Sequence, residues 1–137
     1  MKDRLQKIFD KTDGRCHLCH KPLEFKNFGV YGSLGAWHRE HSVPRFLGGT
    51  DHLNNLFPSC IKCNLKKGIK STRSERAKHG LSRAPYSKKR KRDIAFGNTL
   101  KGGLVGGLIG LVVNGKKGMV CGAVIGGSFG YCISPIV

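Results

Sequence analysis

Apolar side chains near the start of the chain recur at helical spacing. Leu5, Ile8 and Phe9 share one helix face while charged residues occupy the others, which predicts a short amphipathic helix over 3–12. The stretch 20–35 that follows contains a proline and several glycines, so it predicts a loop with little regular structure. The chain is therefore expected to begin with one helix and a long connection.

A strand, a turn and a second strand come next. Residues alternate over 36–42, which predicts a strand, and a glycine-containing turn over 48–51 leads to a returning strand over 55–59. A helix is predicted from residue 61 into the seventies. The fold class predicted for this half is therefore α+β, with the order strand, loop, strand, helix.

Glycine sets the pattern of the tail, where it recurs at every fourth position. The series comprises Gly102, Gly106, Gly110, Gly118, Gly122, Gly126 and Gly130. This spacing places the glycines on one helix face, where two helices can approach backbone to backbone. The tail over 94–137 therefore resembles a glycine-zipper segment and predicts a helical hairpin, with self-association through the glycine face as a further expectation.

The end of the tail also has the character of a membrane-associated segment. Residues 119–137 carry no formal charge, and the stretch is long enough to cross a bilayer. Each glycine would destabilise a helix in water by about 1 kcal/mol, which favours a lipid environment for 94–137. A soluble helical hairpin or a low-complexity tail is the alternative.

Positive charge is concentrated between the two halves. The chain of 137 residues has a formal net charge of +17, and residues 66–92 contain twelve Lys or Arg against one acid, Glu75. Such a cluster attracts phosphate backbones irrespective of base sequence, which predicts a nucleic-acid partner. The same charge could bind anionic lipid head groups beside the apolar tail. Residues 71–93 are predicted to be a basic linker, too polar to form a core.

Four cysteines form two Cys-x-x-Cys pairs, Cys16 with Cys19 and Cys60 with Cys63. Each pair can present two sulfurs to one tetrahedral site. Because residues 1–70 include few apolar side chains, this segment needs such a metal cross-link to fold. The N-terminus lacks the apolar stretch of a signal peptide, and paired cysteines in a non-secreted chain favour zinc over disulfides. The pairs therefore predict one structural zinc site.

Candidate chemistry lies beside the second cysteine pair. The imidazole of His41 can titrate near neutrality and could serve as a general base. The oxygens of Glu40 and Asn64 suit a hard divalent cation such as Mg²⁺, which keeps much of its water and takes one or two side-chain ligands. This segment therefore predicts metal-dependent hydrolysis.

With these features, residues 16–67 resemble the HNH (His-Asn-His) endonuclease family. The motifs that carry the resemblance are Glu40-His41, Pro44, Gly48-Gly49, Asn55-Leu56 and Cys60-Ile-Lys-Cys63-Asn64. The resemblance implies a ββα-metal fold and a metal-dependent endonuclease that acts on nucleic acid, with double-stranded DNA as the expected substrate. Glu40 departs from the Asp that is more frequent in the family, and Asn64 stands where the second His of the family name would be.

The resemblance assigns roles to individual residues. His41 would be the general base, and Asn55 would accept a hydrogen bond from its Nδ1–H, with the neighbouring Asn54 as the alternative acceptor. Glu40 and Asn64 would bind the catalytic divalent ion. His38 shares a face of the predicted strand with Glu40 and is a candidate further ligand or phosphate contact, with a structural histidine as the alternative.

Positive side chains that border the predicted site are candidate contacts to phosphates: Arg39, Arg45, Lys62, Lys66 and Lys67. The predicted organisation is a nuclease domain over 1–70, a basic linker over 71–93 and the glycine-rich tail over 94–137. The chain is expected in the cytoplasm, or bound to a membrane with the nuclease facing the cytoplasm. Two other functions stay open: a zinc-ribbon module that binds nucleic acid without catalysis, and a membrane-active protein or toxin with a nuclease head.

Overall fold

The computed structural model describes residues 2–132, apart from the side chains of residues 110, 111, 113–119, 121, 122 and 132. The chain forms two compact units, Met1–Lys88 and Lys89–Val137. The first unit carries the mixed helices and strands, and the described part of the second unit is helical.

The first unit is built around a two-stranded sheet. Its elements are α1 (Lys2–Asp10), β1 (Trp37–His41), β2 (Leu56–Cys60), α2 (Ile61–Lys67) and α3 (Thr72–Ala77), with short 3-10 turns at Phe25–Asn27, Arg45–Leu47 and Leu53–Asn55. The strands pair antiparallel, with Trp37 opposite Cys60 and His41 opposite Leu56. This arrangement confirms the predicted α+β class and the order strand, loop, strand, helix.

Trp37 is the centre of the core and is fully buried. The rings of Phe9 in α1 and Phe28 in the following loop have centroids 5.2 and 4.9 Å from that of Trp37. Ile8 of α1 and Leu56 of β2 also belong to the buried cluster. Helix α1 contributes to the core because its apolar residues fall on one side, as their spacing predicts. The core is small, so the other links between elements carry much of the stability.

The helix predicted from residue 61 into the seventies is two helices, so the prediction of one continuous helix is wrong. Gly68 ends α2 with φ 50° and ψ −121°, a conformation that residues with a Cβ atom rarely adopt. Ser71 then caps α3, because its side-chain oxygen accepts a hydrogen bond from the Ser74 N–H at 3.1 Å.

Regular structure is also present in the stretch 71–93, where the composition predicts an unstructured linker. Helix α3 lies within it, and its Arg76 donates from Nε to the backbone oxygen of His17 at 2.8 Å. Arg76 Nη2 lies 3.0 Å from His17 Nδ1. The expectation of an unstructured segment is therefore wrong for α3. Its polar residues are held by contacts with the loop that carries Cys16 and Cys19.

A buried ionic network joins β1 to the helices. Glu40 is 2% exposed and Lys67 is 1% exposed, and Lys67 Nζ lies 2.6 Å from Glu40 Oε1. The other carboxylate oxygen lies 2.7 Å from His17 Nε2, close enough for an electrostatic contact but without hydrogen-bond alignment. Lys67 Nζ also donates to the backbone oxygen of His41 at 2.9 Å. The end of β1, the first cysteine loop and α2 are thereby held together.

The Glu40 carboxylate is charged at neutral pH despite its burial. Burial by itself would raise the pKa of this carboxyl, but the nearby His17 and Lys67 outweigh that effect and hold the pKa below its ordinary value. Lys67 compensates the buried negative charge. Removing one partner of such a pair is costly, since the other charge stays buried without compensation.

Helix α4 spans Lys88–Cys132 and reverses direction within that span. In a straight helix Gly102 and Gly126 would lie about 36 Å apart, yet a Cβ atom at Gly102 would overlap the backbone oxygen of Gly126. A Cβ atom at Gly130 would likewise overlap the carbonyl of Asn98. Two arms of α4 therefore meet through their glycine backbones.

The packing of the two arms of α4 does not show whether the tail inserts into a membrane. Among the residues that the structure describes, no helix combines the length and the apolar character that a bilayer crossing requires. The last five residues of the predicted span 119–137 lie outside the described part of the chain. Membrane association, the glycine-zipper resemblance and self-association stay predictions.

Replacing Lys67 by methionine should strongly destabilise the first unit. Lys67→Met keeps the apolar length of the side chain but removes the charge that compensates Glu40, and breaking a buried pair costs about 3–5 kcal/mol. Urea unfolding of the full chain measures the change in the free energy of unfolding. Trp37 is the only tryptophan and lies in the core, so its fluorescence reports on the first unit.

Two further variants make this test specific. Lys66→Met changes an exposed neighbour and should alter the free energy of unfolding by less than about 0.5 kcal/mol. Glu40→Gln combined with Lys67→Met should recover part of the loss, because both charges are removed together. Equal unfolding midpoints for Lys66→Met and Lys67→Met would contradict the role of the buried pair.

Candidate functional site

The two Cys-x-x-Cys pairs meet in space. Cys16 and Cys19 lie on the loop after α1, and Cys60 and Cys63 lie where β2 passes into α2. The four Sγ atoms all lie within 4.8 Å of one another, and the Sγ atoms of Cys19 and Cys60 are 3.8 Å apart. A tetrahedral zinc ion with bonds of about 2.3 Å spaces its sulfur ligands about 3.8 Å apart. The cluster therefore fits one tetrahedral metal ion.

Local backbone structure sets the position of each cysteine. The His20 N–H donates to the Cys16 carbonyl at 2.9 Å, and His20 takes a φ of 60°, which closes the first turn. Cys60 is the N-cap of α2, so Cys63 falls in the first turn of that helix. Hydrogen bonds with the other thiols, that of Cys19 first, lower the pKa of the Cys16 thiol, whereas the hydrogen bond with Cys16 is the first cause that raises the pKa of Cys60 and of Cys63. A bound zinc ion would hold all four as thiolates.

At the end of β1, His41 lies beside a carboxylate. Its side chain is 20% exposed, and Nε2 lies 2.8 Å from Asp51 Oδ1. Arg45 donates from Nη2 to both Asp51 oxygens, at 2.6 and 2.9 Å. Hydrogen bonds from Arg45 and then from His41 lower the pKa of Asp51 to about 2, so the carboxylate is charged at neutral pH. Imidazole, carboxylate and guanidinium thus form one cluster at the surface.

The contact with Asp51 determines which nitrogen of a neutral His41 ring carries the proton. A carboxylate only accepts, so the 2.8 Å contact requires the proton on Nε2. Arg45 Nε also points at Nε2, from 3.2 Å, but a protonated Nε2 cannot accept, and the shorter contact with Asp51 prevails. The lone pair then resides on Nδ1, which no residue in the described part of the chain hydrogen-bonds. His41 is therefore held in a form that can take up a proton.

Asn55 does not hold His41 in the way that the resemblance implies. Its Oδ1 accepts from the Val43 N–H at 2.7 Å, and its Nδ2 donates to the backbone oxygens of Val43 and Thr50, each at 2.9 Å. The amide is therefore used by the loop after β1, and the expected bond from His41 Nδ1–H is not among the described contacts. Asn55 shapes the loop that carries Asp51.

Glu40 does not fit the catalytic divalent ion as it is placed. Both Glu40 oxygens face other side chains in a buried setting, one against Lys67 and the other against His17. A divalent ion at Glu40 would stand beside the like charge of the Lys67 ammonium, which disfavours its binding. Asn64 is half-buried on α2. The structure therefore departs from the expected ligand pair, because Lys67 supplies the positive charge that Glu40 requires.

Four of the predicted phosphate contacts are exposed: Arg39, Arg45, Lys62 and Lys66. The prediction for Lys67 is corrected, because its ammonium is buried against Glu40 and cannot reach nucleic acid. Arg39 lies over the ring of Phe28, with its guanidinium carbon 5.9 Å from the ring centroid. The exposed cations leave a surface that can receive a phosphate backbone.

His38 is surrounded by aromatic rings. Its ring centroid lies 5.3 Å from that of Tyr31, edge to face, and 6.2 Å from that of Phe28. Among the described residues, His38 belongs to no group of three or more side chains that could hold a metal ion. These contacts favour the structural alternative for His38 over a role as a further ligand.

Sequence patterns did not identify Asp51, His17 or Arg76. The available signal for Asp51 was its place as an acidic residue in the loop after His41. The turn predicted at Gly48-Gly49 explained the same stretch equally well. His17 lies inside the first cysteine pair, and nothing in its local sequence points to Glu40. These contacts depend on how distant segments pack.

One comparison with known proteins gives a match. The family model described as HNH endonuclease matches residues 16–70, a segment that contains the four cysteines, both strands and α2. No curated protein and no solved structure matches the chain. The matched segment also contains His41, Asp51 and the loop between them. The residues of the candidate site therefore lie within the segment that is similar to the HNH endonuclease family.

Proposed function

We propose that this chain hydrolyses phosphodiester bonds in double-stranded DNA, with His41 as the general base. The family match supports a nuclease in general. The 2.8 Å contact between His41 Nε2 and Asp51 supports this base in particular, and it is the observation that carries the proposal. A histidine held in one tautomer by a charged carboxylate can accept a proton from an attacking water.

The proposed reaction begins with a water molecule between His41 and the scissile phosphate. As the water oxygen bonds to phosphorus, Nδ1 of His41 takes its proton, and the Asp51 carboxylate stabilises the resulting imidazolium. The bond from phosphorus to one sugar oxygen breaks, and that oxygen leaves with a proton from solvent. Arg45, exposed and bonded to Asp51, supplies positive charge beside the phosphate as negative charge develops.

Binding in this proposal depends mainly on the phosphate backbone. The net charge of +17 and the exposed Lys62 and Lys66 of α2 support contacts that do not depend on base sequence. We therefore expect DNA binding that weakens steeply with salt. The same contacts would hold either strand of a duplex.

Two metals are implied by the sequence and the resemblance. We propose that the four cysteines hold zinc as a structural ion, since four thiolates in tetrahedral reach suit zinc and a small core needs such a staple. The resemblance also implies a catalytic divalent ion, Mg²⁺ or a similar cation. Glu40 does not fit that ion in this structure, so each step above is assigned to side chains of the chain itself.

For the second unit we propose contact with an anionic lipid surface. Leu100, Leu104 and Leu108 of α4 are exposed, and residues 89–92 are all Lys or Arg. An apolar surface preceded by positive charge is attracted to anionic membranes. Co-sedimentation of the full chain with vesicles tests this proposal. Equal recovery with anionic and uncharged vesicles would contradict the charge contribution, and no recovery with either would contradict lipid contact.

A graded series of variants should reveal the His41–Asp51 pair in nicking of supercoiled plasmid. His41→Ala should slow nicking by about 10²–10⁴-fold, the usual contribution of a general base. Asp51→Asn should slow it by about 10- to 100-fold, because an amide can donate to Nε2 and favour the other tautomer. His52→Ala, a change at a neighbouring exposed histidine, is the matched control and should retain the wild-type rate.

The outcome of the same assay can contradict the proposal in two ways. A wild-type rate for Asp51→Asn would remove Asp51 from the mechanism. DNA binding by the wild-type chain without any cleavage would favour the zinc-ribbon module that binds nucleic acid without catalysis.

Removing a cysteine of the cluster should unfold the first unit, because a structural zinc ion contributes directly to the free energy of folding. Cys16→Ser should lose the zinc and the native fluorescence of Trp37, while Cys121→Ser in the second unit should keep both. Metal analysis of the purified chain should find about one zinc per chain. A cooperatively folded Cys16→Ser protein would show that the four cysteines do not share one structural ion.

A further inference from the structure

The 3-10 turn Arg45–Leu47, just after β1, exposes large apolar side chains. Phe46 is 83% exposed and Leu47 is 59% exposed. Exposed aromatic side chains are unusual because burial of apolar area is the main gain in folding. Their position beside the proposed catalytic residues calls for a binding partner rather than for packing within the chain.

Backbone contacts make this turn rigid. The Pro44 oxygen accepts from the N–H groups of Leu47 and Gly49, at 2.9 and 3.0 Å. A Cβ atom at Gly49 would overlap the carbonyl of Val43, so the chain passes very close to itself there. The amide of Asn55 bonds to Val43 from the other side. The turn therefore holds Phe46 outward.

Phe46 directly follows a residue of the proposed site in the chain. The guanidinium of that residue, Arg45, contacts both Asp51 oxygens and lies 3.2 Å from His41 Nε2. DNA bound at His41 would therefore approach the short turn that carries the exposed Phe46 ring.

We propose that Phe46 stacks against a base of the DNA beside the scissile bond, with Leu47 as a second apolar contact. This inference rests on the proposed function. An apolar side chain flanked by positive charge is how DNA-binding proteins insert between base steps and unstack them. Two side chains form a patch too small for a stable protein interface, which buries about 1,200 Å² or more. The charge of Arg45 also matches a phosphate backbone.

Insertion of Phe46 would make cleavage sensitive to how easily the bases unstack. Steps that unstack readily, such as mismatches and pyrimidine–purine steps, cost less to deform than stiff sequences. The chain would then discriminate between DNA sites without hydrogen bonds to base edges. Cleavage would be broadly sequence-tolerant with a preference for deformable sites.

Fluorescence of a DNA duplex that contains 2-aminopurine tests the proposal, because this base brightens when it leaves the stack. The full chain carrying His41→Ala is used so that the duplex stays uncut. Binding should raise the fluorescence. Adding Phe46→Ala should abolish the rise and weaken binding by about 5- to 150-fold, the range for loss of one aromatic stacking contact. Phe46→Tyr, which keeps the ring, should retain the rise.

Leu34→Ala is the matched control, because Leu34 is 91% exposed in a different loop of the same unit. It should leave both fluorescence and affinity unchanged. An unchanged signal with Phe46→Ala would overturn the inference. Plasmid cleavage by the wild-type chain without any fluorescence rise would also overturn it and leave the proposed function standing. A rise that needs Phe46, without cleavage by the wild-type chain, would support the inference and contradict the proposed function.

Discussion

The contact between Lys67 and Glu40 is the constraint on which the rest of the first unit depends. It joins β1 to α2, and both side chains are almost completely buried. Through His17 the same carboxylate reaches the loop that carries the first cysteine pair, and through its second bond Lys67 holds the backbone of His41. The cysteine cluster and the proposed base are therefore linked through one buried charge pair. A residue that the family resemblance assigns to a catalytic metal instead serves the internal structure here.

The side chains proposed for catalysis and those that support them lie in different places in this unit. The buried pair of Glu40 and Lys67 fixes the end of β1, and the exposed Asp51 determines which ring nitrogen of His41 carries the proton. Asp51 reaches His41 only because the loop between them has a defined shape. Asn55 provides that shape, since its amide bonds to both ends of the loop. Asn55, which the resemblance assigns to orient His41 directly, thus acts through the loop that carries Asp51.

The features that could be predicted from the sequence are those with local causes. Alternation located β1 and the glycine-containing turn located β2, each within about a residue, and the cysteine spacing predicted a cluster that the structure brings within 4.8 Å. The break at Gly68 depends on the conformation of one residue, so an apolar pattern could not reveal it. Burial of Lys67 depends on Glu40, a partner far away in the chain. Without knowledge of that partner, a lysine beside a basic run suggests a phosphate contact. The contact of Asp51 with His41 likewise depends on the loop path.

In the proposed mechanism, Asp51 holds His41 as a base with its lone pair on Nδ1, in a scaffold fixed by the buried pair. Nitrogen-15 NMR of the full chain labelled in histidine tests this role directly, because protonated and unprotonated ring nitrogens have well-separated shifts. At a pH where the ring is neutral, we expect a His41 signal with the proton on Nε2. Replacing Asp51 by asparagine should shift that population toward the other tautomer. A proton on Nδ1 in the wild-type chain, or a tautomer that does not respond to the change at Asp51, would contradict this role of Asp51.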